Sequence, residues 1–472
     1  MPDVLQSPEE VLTTLTSEGK RKWMYPVPSP GRLNTQRRGV AWTLMALYVL
    51  LPIVHIGGMP AVLLDFIHRR FALFGVEFYP TDTILLMMLG IGGLLTVIVG
   101  TAFLGRVWCG WACPQTVYLE YLFRPIERLI EGSEITRKRR DDGPWTFDKF
   151  WRKTLKLSVF TGVSLLLAHT FVAYFVGWSN LIEWMQEPPA ENWGFFLGMA
   201  MTTGLVLFDF GYFREQMCTI VCPYARMQSV LLDPDSMIVS YDPGRGEPRG
   251  RRSRKKMEEE AAGLRPALGD CVDCGACVRT CPTGIDIREG LQMECIACTQ
   301  CIDACDAIMD RVGKPRGLIR YTSENALAGV SQRLFRPRTV AYALLLIGFT
   351  TAFTVTLANR SAYDINIGRV VGDPYTVISE HEIANRLRFR VRNQTARASS
   401  FEIEVEEPDD AEIRVVGVQP ITLEPGEMKR IEAFVIFPTD AFKGSHMEGE
   451  FELKFSDGTV EKREFALLGP SN

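Results

Sequence analysis

CVDCGACVRTCP, residues 271 to 282, and CIACTQCIDACD, residues 295 to 306, decide how this chain of 472 residues is read. Each run repeats C-x2-C-x2-C-x3-C, through Cys271, Cys274, Cys277 and Cys281 and then Cys295, Cys298, Cys301 and Cys305. That spacing wraps three thiolates of a short loop around one cubane and sends the fourth to the neighbouring cluster. It predicts a ferredoxin-like domain with two [4Fe-4S] clusters, whose chemistry is one-electron transfer. Zinc is the alternative, because C-x2-C pairs also build sites of four cysteines, but zinc has no need of a third thiolate three residues after the second. Asp306 stands where the first run has Pro282, and the spacer from Cys281 to Cys295 is short. The crossed arrangement, Cys281 to the second cluster and Cys305 to the first, is therefore an expectation to be tested.

Working outward, a hydrophobic content of 47% with mean hydropathy near zero averages apolar against very polar segments. Five stretches, 40 to 60, 83 to 105, 155 to 178, 194 to 213 and 339 to 358, are apolar over the length that crosses a hydrocarbon core. The expected fold is a helical transmembrane bundle of about five spans with a cluster domain inserted at 214 to 338 and a β domain at 359 to 472. A polar tail, 1 to 39, precedes the first span, which reads as an uncleaved anchor. Basic residues crowd the loop 106 to 153 (Arg137, Lys138, Arg139, Arg140) and the segment after Arg214 (Arg249, Arg251, Arg252, Arg254, Lys255, Lys256), whereas 179 to 193 has none. The positive-inside rule then places the amino terminus and the clusters in the cytoplasm and everything beyond 358 outside. All twelve cysteines fall on the reducing side of that map or at its membrane boundary. Arg69 and Arg70 fall on the outer side, and with Phe66, Phe71, Phe74 and Phe78 are expected along the interface. The net charge of −4 names no partner, and the basic run 249 to 256 suits lipid headgroups; a nucleic-acid partner is excluded for want of a folded basic face with stacking aromatics.

Beyond the fifth span the period changes to two. Leu387, Phe389 and Val391 alternate with Arg386, Arg388 and Arg390, and Phe401, Ile403 and Val405 alternate with glutamates. Further strands are expected at 413 to 418, 430 to 437, 449 to 455 and 459 to 465, with Asp457-Gly458 as a hairpin turn. Several short strands at regular spacing predict an immunoglobulin-like sandwich, suited to docking or to capping. His381 and His446 are isolated there, and Asn393-Gln394-Thr395 matches a glycosylation sequon.

Four cysteines remain, in two copies of one motif: Cys109-Gly-Trp-Ala-Cys113-Pro114 and Cys218-Thr-Ile-Val-Cys222-Pro223. Read as helix, positions i and i+4 share a face, so each pair presents two sulfurs in one direction. Both pairs follow an apolar span, and if those helices are neighbours four thiolates converge on a soft site suited to Cu(I). Met217 and Met227 are candidate thioether ligands. Buried packing, a redox-active disulfide and a third cluster are the alternatives for the four thiols. His55 and His169 fall in the outer halves of their spans, as candidates for haem or quinone contact or for a helix-to-helix hydrogen bond.

WCGWACPQTVYLE (108 to 120), CPYARMQSV (222 to 230), IVSYDPGRGEPRG (238 to 250), GKPRGLIRYTSEN (313 to 325), the cluster runs and the β domain together resemble the CcoG/FixG/RdxA family over nearly the whole chain. These are membrane iron-sulfur accessory factors for assembly of cbb-type cytochrome oxidases, some described as cupric reductases. The resemblance implies clusters on the eight matching cysteines, copper handling by Cys109, Cys113, Cys218 and Cys222, and reduction of Cu(II) to Cu(I). It also implies a bacterial inner-membrane location, partners among copper chaperones or oxidase assembly factors, and an electron donor it does not identify. Two rival readings stand beside it: a quinol-oxidising subunit feeding a periplasmic reductase, and a non-enzymatic copper carrier or scaffold.

Overall fold

The computed structural model describes residues 13–16, 18–67, 69–79, 82–251, 267–331, 335–379, 381–395, 397–439 and 445–470. The basic run from Arg252 to Lys256 lies outside them. The chain divides into two compact units, one built mainly from Met87–Ala352 with the chain up to His55, the other from Phe353–Asn472 with Arg69–Leu86.

Among the described residues four helices are long and apolar enough to cross a membrane: Thr83–Leu104, Phe147–Val176, Trp193–Phe213 and Pro337–Ala358. They answer four of the five expected stretches. The first, 40 to 60, is not one helix. The helix here is Arg32–Leu50, and Pro52, which cannot donate into a helical ladder, follows its end. Gly57 and Gly58, at φ 64° and 89°, then turn the chain between the short strands His55–Ile56 and Met59–Pro60. His55 is therefore exposed on a strand. The second correction concerns the phenylalanines of 61 to 82. Arg70–Leu73 and Val76–Phe78 form an antiparallel hairpin, in which Phe78 is buried while Phe74, at its turn, is exposed, so these two do not share one face.

The amino-terminal segment is not a free tail either. Thr13 Oγ1 donates to the Thr283 carbonyl at 2.7 Å, Ser29 Oγ to that of Gln300 at 2.9 Å, and Thr280 Oγ1 to that of Val27 at 2.8 Å. Asp303 then accepts from the backbone N–H groups of Leu33 and Asn34, at 3.2 and 2.7 Å, where the first helix begins. Residues 13 to 34 thus run as a strap along the cysteine domain, whose backbone donors and acceptors they satisfy.

In the second unit the alternation read from the sequence holds. Leu387, Phe389 and Val391 are fully buried on the strand Glu382–Asn393, which pairs with Met428–Pro438 and with Tyr363–Arg369. The facing sheet has Ser399–Glu407 and His446–Phe455 at its centre, with Ile421–Leu423 and Val460–Leu468 at its edges. Inward side chains of both sheets make one core, as a sandwich requires. Gly458 turns the Asp457-Gly458 hairpin at φ 87°. The sequon is not presented: Asn393 is fully buried and its amide donates to the carbonyls of Arg397 and Leu423.

Candidate redox site

Both cysteine runs fold into the same loop. Asp273 and Ala297, each two residues after the first cysteine of its run, have φ 52° and 51°, and Gly275 and Thr299, each one after the second, both have φ 63°. Left-handed backbone at non-glycine residues is strained and persists where the surroundings enforce it. Here it curls the chain so that successive sulfurs face inward. A short helix follows each loop, Ala276–Thr280 and Gln300–Arg311. Two small cavities result. Cys271, Cys274, Cys277 and Cys305 line the first; Cys281, Cys295, Cys298 and Cys301 line the second, with Cys277 also reaching its wall. The fourth cysteine of each run thus sits with the first three of the other.

The residues fit two multinuclear groups better than two single ions. Among the described residues no three His, Cys, Asp or Glu side chains are placed to hold one metal ion, whereas tetrahedral zinc needs four ligands at about 2.0–2.3 Å from one point. Each cavity nevertheless has four cysteines in its wall. Burial pushes the Cys277 and Cys295 thiols up to about 11 and those of Cys298 and Cys305 up to about 12. Since only thiolates ligate, metal binding must supply the ionisation and release protons.

The two C-x3-C-P copies are also built alike, though not as the sequence suggested. Neither pair rides on one helix. Cys109 lies in Val107–Trp111 and Cys218 in the π-turn Met217–Val221. Cys113 and Cys222 sit outside, in extended backbone with ψ 126° and 110°, as the N-caps of helices opened by Pro114 and Pro223. Proline causes both features: it forces the preceding residue into extended backbone and is itself favoured at the first helical position. Burial raises the Cys113 thiol although the backbone N–H groups of Gln115 and Thr116 point at it.

The two turns are neighbours. Gln115 Nε2 donates to Asp209 Oδ1 at 3.1 Å and to the Arg214 carbonyl at 3.0 Å. Buried ion pairs clamp them further: Arg124 binds Glu120 after the first turn and Glu215 before the second. Glu215 also takes Arg21 of the strap at 3.0 Å. Arg214 forks onto Glu127 with two bonds of 3.1 Å, and Gln300 Nε2 ties Glu120 to the second cysteine loop at 3.1 Å. Burial pushes the Cys218 thiol up, and the nearby sulfurs of Cys113, Cys109 and Cys222 add to it. Burial likewise brings Cys109 up to about 12, followed by Cys113. The four sulfurs are thus close enough to repel one another as thiolates, without forming a ready cage for one ion.

The first turn lies directly on the second cysteine loop. A Cβ on Gly110 would stand 2.6 Å from the carbonyl oxygens of both Ile296 and Ala297, so the two backbones touch through a glycine. Arg37 Nε donates to the Gly110 carbonyl at 2.9 Å. Trp111 Nε1 donates to the Tyr321 hydroxyl at 3.0 Å, and that hydroxyl to the Ala297 carbonyl at 3.3 Å. Arg106 donates to the Met293 and Cys295 carbonyls and, at 2.8 Å, to that of Ala225 beyond the second turn. Gln228, fully buried, accepts from Cys109 Sγ at 3.1 Å.

Arg106, Gly110, Gln115 and Gln228 went unremarked in the sequence. Only Gly110, inside the repeated motif, carried a signal. Met217 is half-buried and Met227 exposed. His55 and His169 each place Nδ1 on a backbone carbonyl, of Ile53 and Leu165 respectively; both bonds are local, His169 bonding within its own helix, so neither is the expected bond from helix to helix. His381 and His446 are exposed.

Residues 213–324 match the family model of a 4Fe-4S dicluster domain, residues 86–132 that of a 4Fe-4S binding domain, and residues 353–470 that of the IG-like fold at the C-terminus of FixG. The chain is 37% identical to protein RdxA of Cereibacter sphaeroides over 401 residues, covering 81% of this chain and 82% of that protein. It is 31% identical to nitrogen fixation protein FixG of Rhizobium meliloti over 496 residues, 94% of this chain and 92% of the relative. Protein RdxB of Cereibacter sphaeroides is 35% identical over 431 residues, with 88% and 87% covered.

Proposed function

The chain belongs to the family of FixG and RdxA, iron-sulfur electron-transfer proteins of oxidoreductase type, and from that premise we propose that it reduces Cu(II) to Cu(I) at the paired C-x3-C-P turns, for assembly of a cbb-type cytochrome oxidase. Cys271, Cys274, Cys277 and Cys305 would hold one [4Fe-4S] cluster, and Cys295, Cys298, Cys301 and Cys281 the other. When bound, these clusters supply one-electron transfer. One observation carries the reading: the CGWACP turn rests on the Ile296-Ala297 backbone with no side chain between, so a metal at Cys109 and Cys113 lies beside the second cysteine loop. Copper enters as substrate. Soft sulfur donors favour Cu(I), so Cys109, Cys113, Cys218 and Cys222 would bind the product more tightly than the reactant and draw the reduction forward. Cys113 and Cys222, at breaks between helices, can turn their sulfurs without unwinding a helical turn.

In this reading the cysteine unit faces the cytoplasm of a bacterial inner membrane and the sandwich faces the periplasm, where its exposed strand edges suit a copper chaperone or an oxidase assembly factor. The basic residues of 106 to 153 support that orientation. The match of 86–132 to a 4Fe-4S binding domain favours a second reading, in which the same four thiols hold a further cluster. Cys109→Ser with Cys113→Ser separates the two. Unchanged iron with lost copper binding and lost dithionite-driven Cu(II) reduction supports the copper site; a loss of about four iron atoms per chain supports the cluster.

A further inference from the structure

Between the helices Arg32–Leu50, Phe147–Val176 and Trp193–Phe208 lies a cavity of about 660 Å³. Most of its wall is apolar, as at Leu167, Phe171 and Leu205. One end is not. Asp209 and Gln115 line it there, and so does the first thiol turn itself, through Trp108, Ala112 and Pro114. Asp209 belongs to an otherwise apolar helix, and among the described residues no cation pairs with it. A carboxylate in such a helix is costly to keep and marks a binding or transfer site. It also opens the π-turn Asp209–Phe213, a distortion common where a helix serves a ligand.

The lining selects its occupant. A free anion would lose its water against the apolar wall without a partner of opposite charge, and a hydrated cation paired with Asp209 would leave the apolar length of the cavity empty. A bare acyl chain would leave the Asp209 carboxylate facing hydrocarbon. A ligand that satisfies both ends is a ring bearing hydroxyls on a long apolar tail, and the neighbouring thiol turn gives a redox-active ring somewhere to send electrons. We propose that this cavity binds a membrane quinol, with Asp209 accepting a hydrogen bond from one ring hydroxyl, and that the quinol is the reductant for copper. This rests on the copper-reducing reading above. The exchange balances: one quinol loses two electrons and two protons to become quinone, and two Cu(II) each gain one electron. The first proton leaves by way of the Asp209 carboxylate and both pass to water.

The test uses the full chain in lipid nanodiscs. An azido-quinone photoprobe, which needs no electron transfer to report, should label peptides spanning 108 to 118 and 202 to 210, and decylubiquinone should compete it away. Asp209→Ala should weaken competition at least about tenfold, the loss that follows removal of a hydrogen bond to a buried carboxylate, and Leu205→Trp should weaken it by filling the cavity. Their folding is checked by cluster absorbance and elution volume. In the wild type decylubiquinol should bleach that absorbance, at a rate that drops in both variants. Labelling spread evenly over all apolar helices, or undiminished in Leu205→Trp, would overturn the proposal. Should the labelling hold while dithionite-reduced protein fails to reduce Cu(II), the copper reading falls and the quinol site stands.

Discussion

Replacing Gly110 by alanine would set a methyl carbon 2.6 Å from the carbonyl oxygens of Ile296 and Ala297 and 2.8 Å from the Ala297 carbonyl carbon. All three are backbone atoms, so no side chain can swing aside. To restore ordinary contact near 3.4 Å, the helix Val107–Trp111 and the second cysteine loop must part by about 0.8 Å. Overpacking of this kind costs about 1–3 kcal/mol, and the separation also pulls on the Arg37, Trp111 and Tyr321 hydrogen bonds that span the seam. Gly39, in the helix Arg32–Leu50, is the control: an added Cβ there meets nothing within 4 Å, and alanine in place of glycine favours a helix by up to about 1 kcal/mol. The assay is thermal loss of cluster absorbance in anaerobically purified full-length protein, paired with the initial rate of Cu(II) reduction from dithionite. Gly110→Ala should bleach at a lower temperature and reduce copper more slowly, while Gly39→Ala behaves as wild type in both. If Gly110→Ala keeps its clusters and its rate as well as Gly39→Ala does, the seam between thiol turn and cysteine loop is not the route, and the central argument for the proposed function fails.

The crossed lining of the two cavities predicts that Cys305→Ser weakens the cluster held by Cys271, Cys274 and Cys277, and Cys281→Ser the other; electron paramagnetic resonance of the reduced variants should lose different signals, and loss of the same signal from both would refute the crossing. Arg214→Ala strips the buried Glu127 of its two-bond partner, leaving Arg137 and Lys156 beside it, and should cost about 1.5–3 kcal/mol, read as a fall in melting temperature and yield. Arg414→Ala, which breaks only an exposed pair with Glu412, should cost under about 1 kcal/mol, and equal losses would contradict the assigned burial. Because burial brings the metal-free Cys109 thiol up to about 12, its alkylation by iodoacetamide should be slow at pH 7.5 and rise with pH through the alkaline range, followed by mass spectrometry. Fast modification at neutral pH would show a thiolate the fold does not support.

Legibility followed the strength of local physics. Six strands of the sandwich could be read because a period of two has one explanation, and Leu387, Phe389 and Val391 went where alternation put them, whereas the short or irregular strands Tyr363–Arg369, Thr376–Ser379 and Ile421–Leu423 were not anticipated. The cysteine loops were legible because ligand spacing is itself geometry. The first span was misread because hydropathy alone was weighed, when Pro52 and the Gly57-Gly58 pair already punctuated the stretch. The thiol pairs were assigned to single helices for a similar reason: the proline after each second cysteine marks a boundary, and the spacing was allowed to outweigh it. Long-range closeness had no local signature at all. Nothing near Gln115 announces Asp209, and nothing near Glu120 announces Glu215, because such pairs form only once the chain has returned to the same place. Left-handed backbone at Ala297 and Thr299 was equally hidden, since only Gly275 has the residue type that advertises it.

The strap of residues 13 to 34 sets a timetable for biosynthesis. Its partners, Thr280, Thr283, Gln300 and Asp303, lie some 250 to 271 positions downstream, so at about 5–20 residues per second the ribosome needs roughly 15 to 50 seconds to deliver them. During that interval the cysteine domain does not yet exist and the leading segment has nothing to close against. Closure therefore cannot precede synthesis of the second cysteine run, and a protease that cuts near Val27 in nascent chains but spares the finished protein would time it directly.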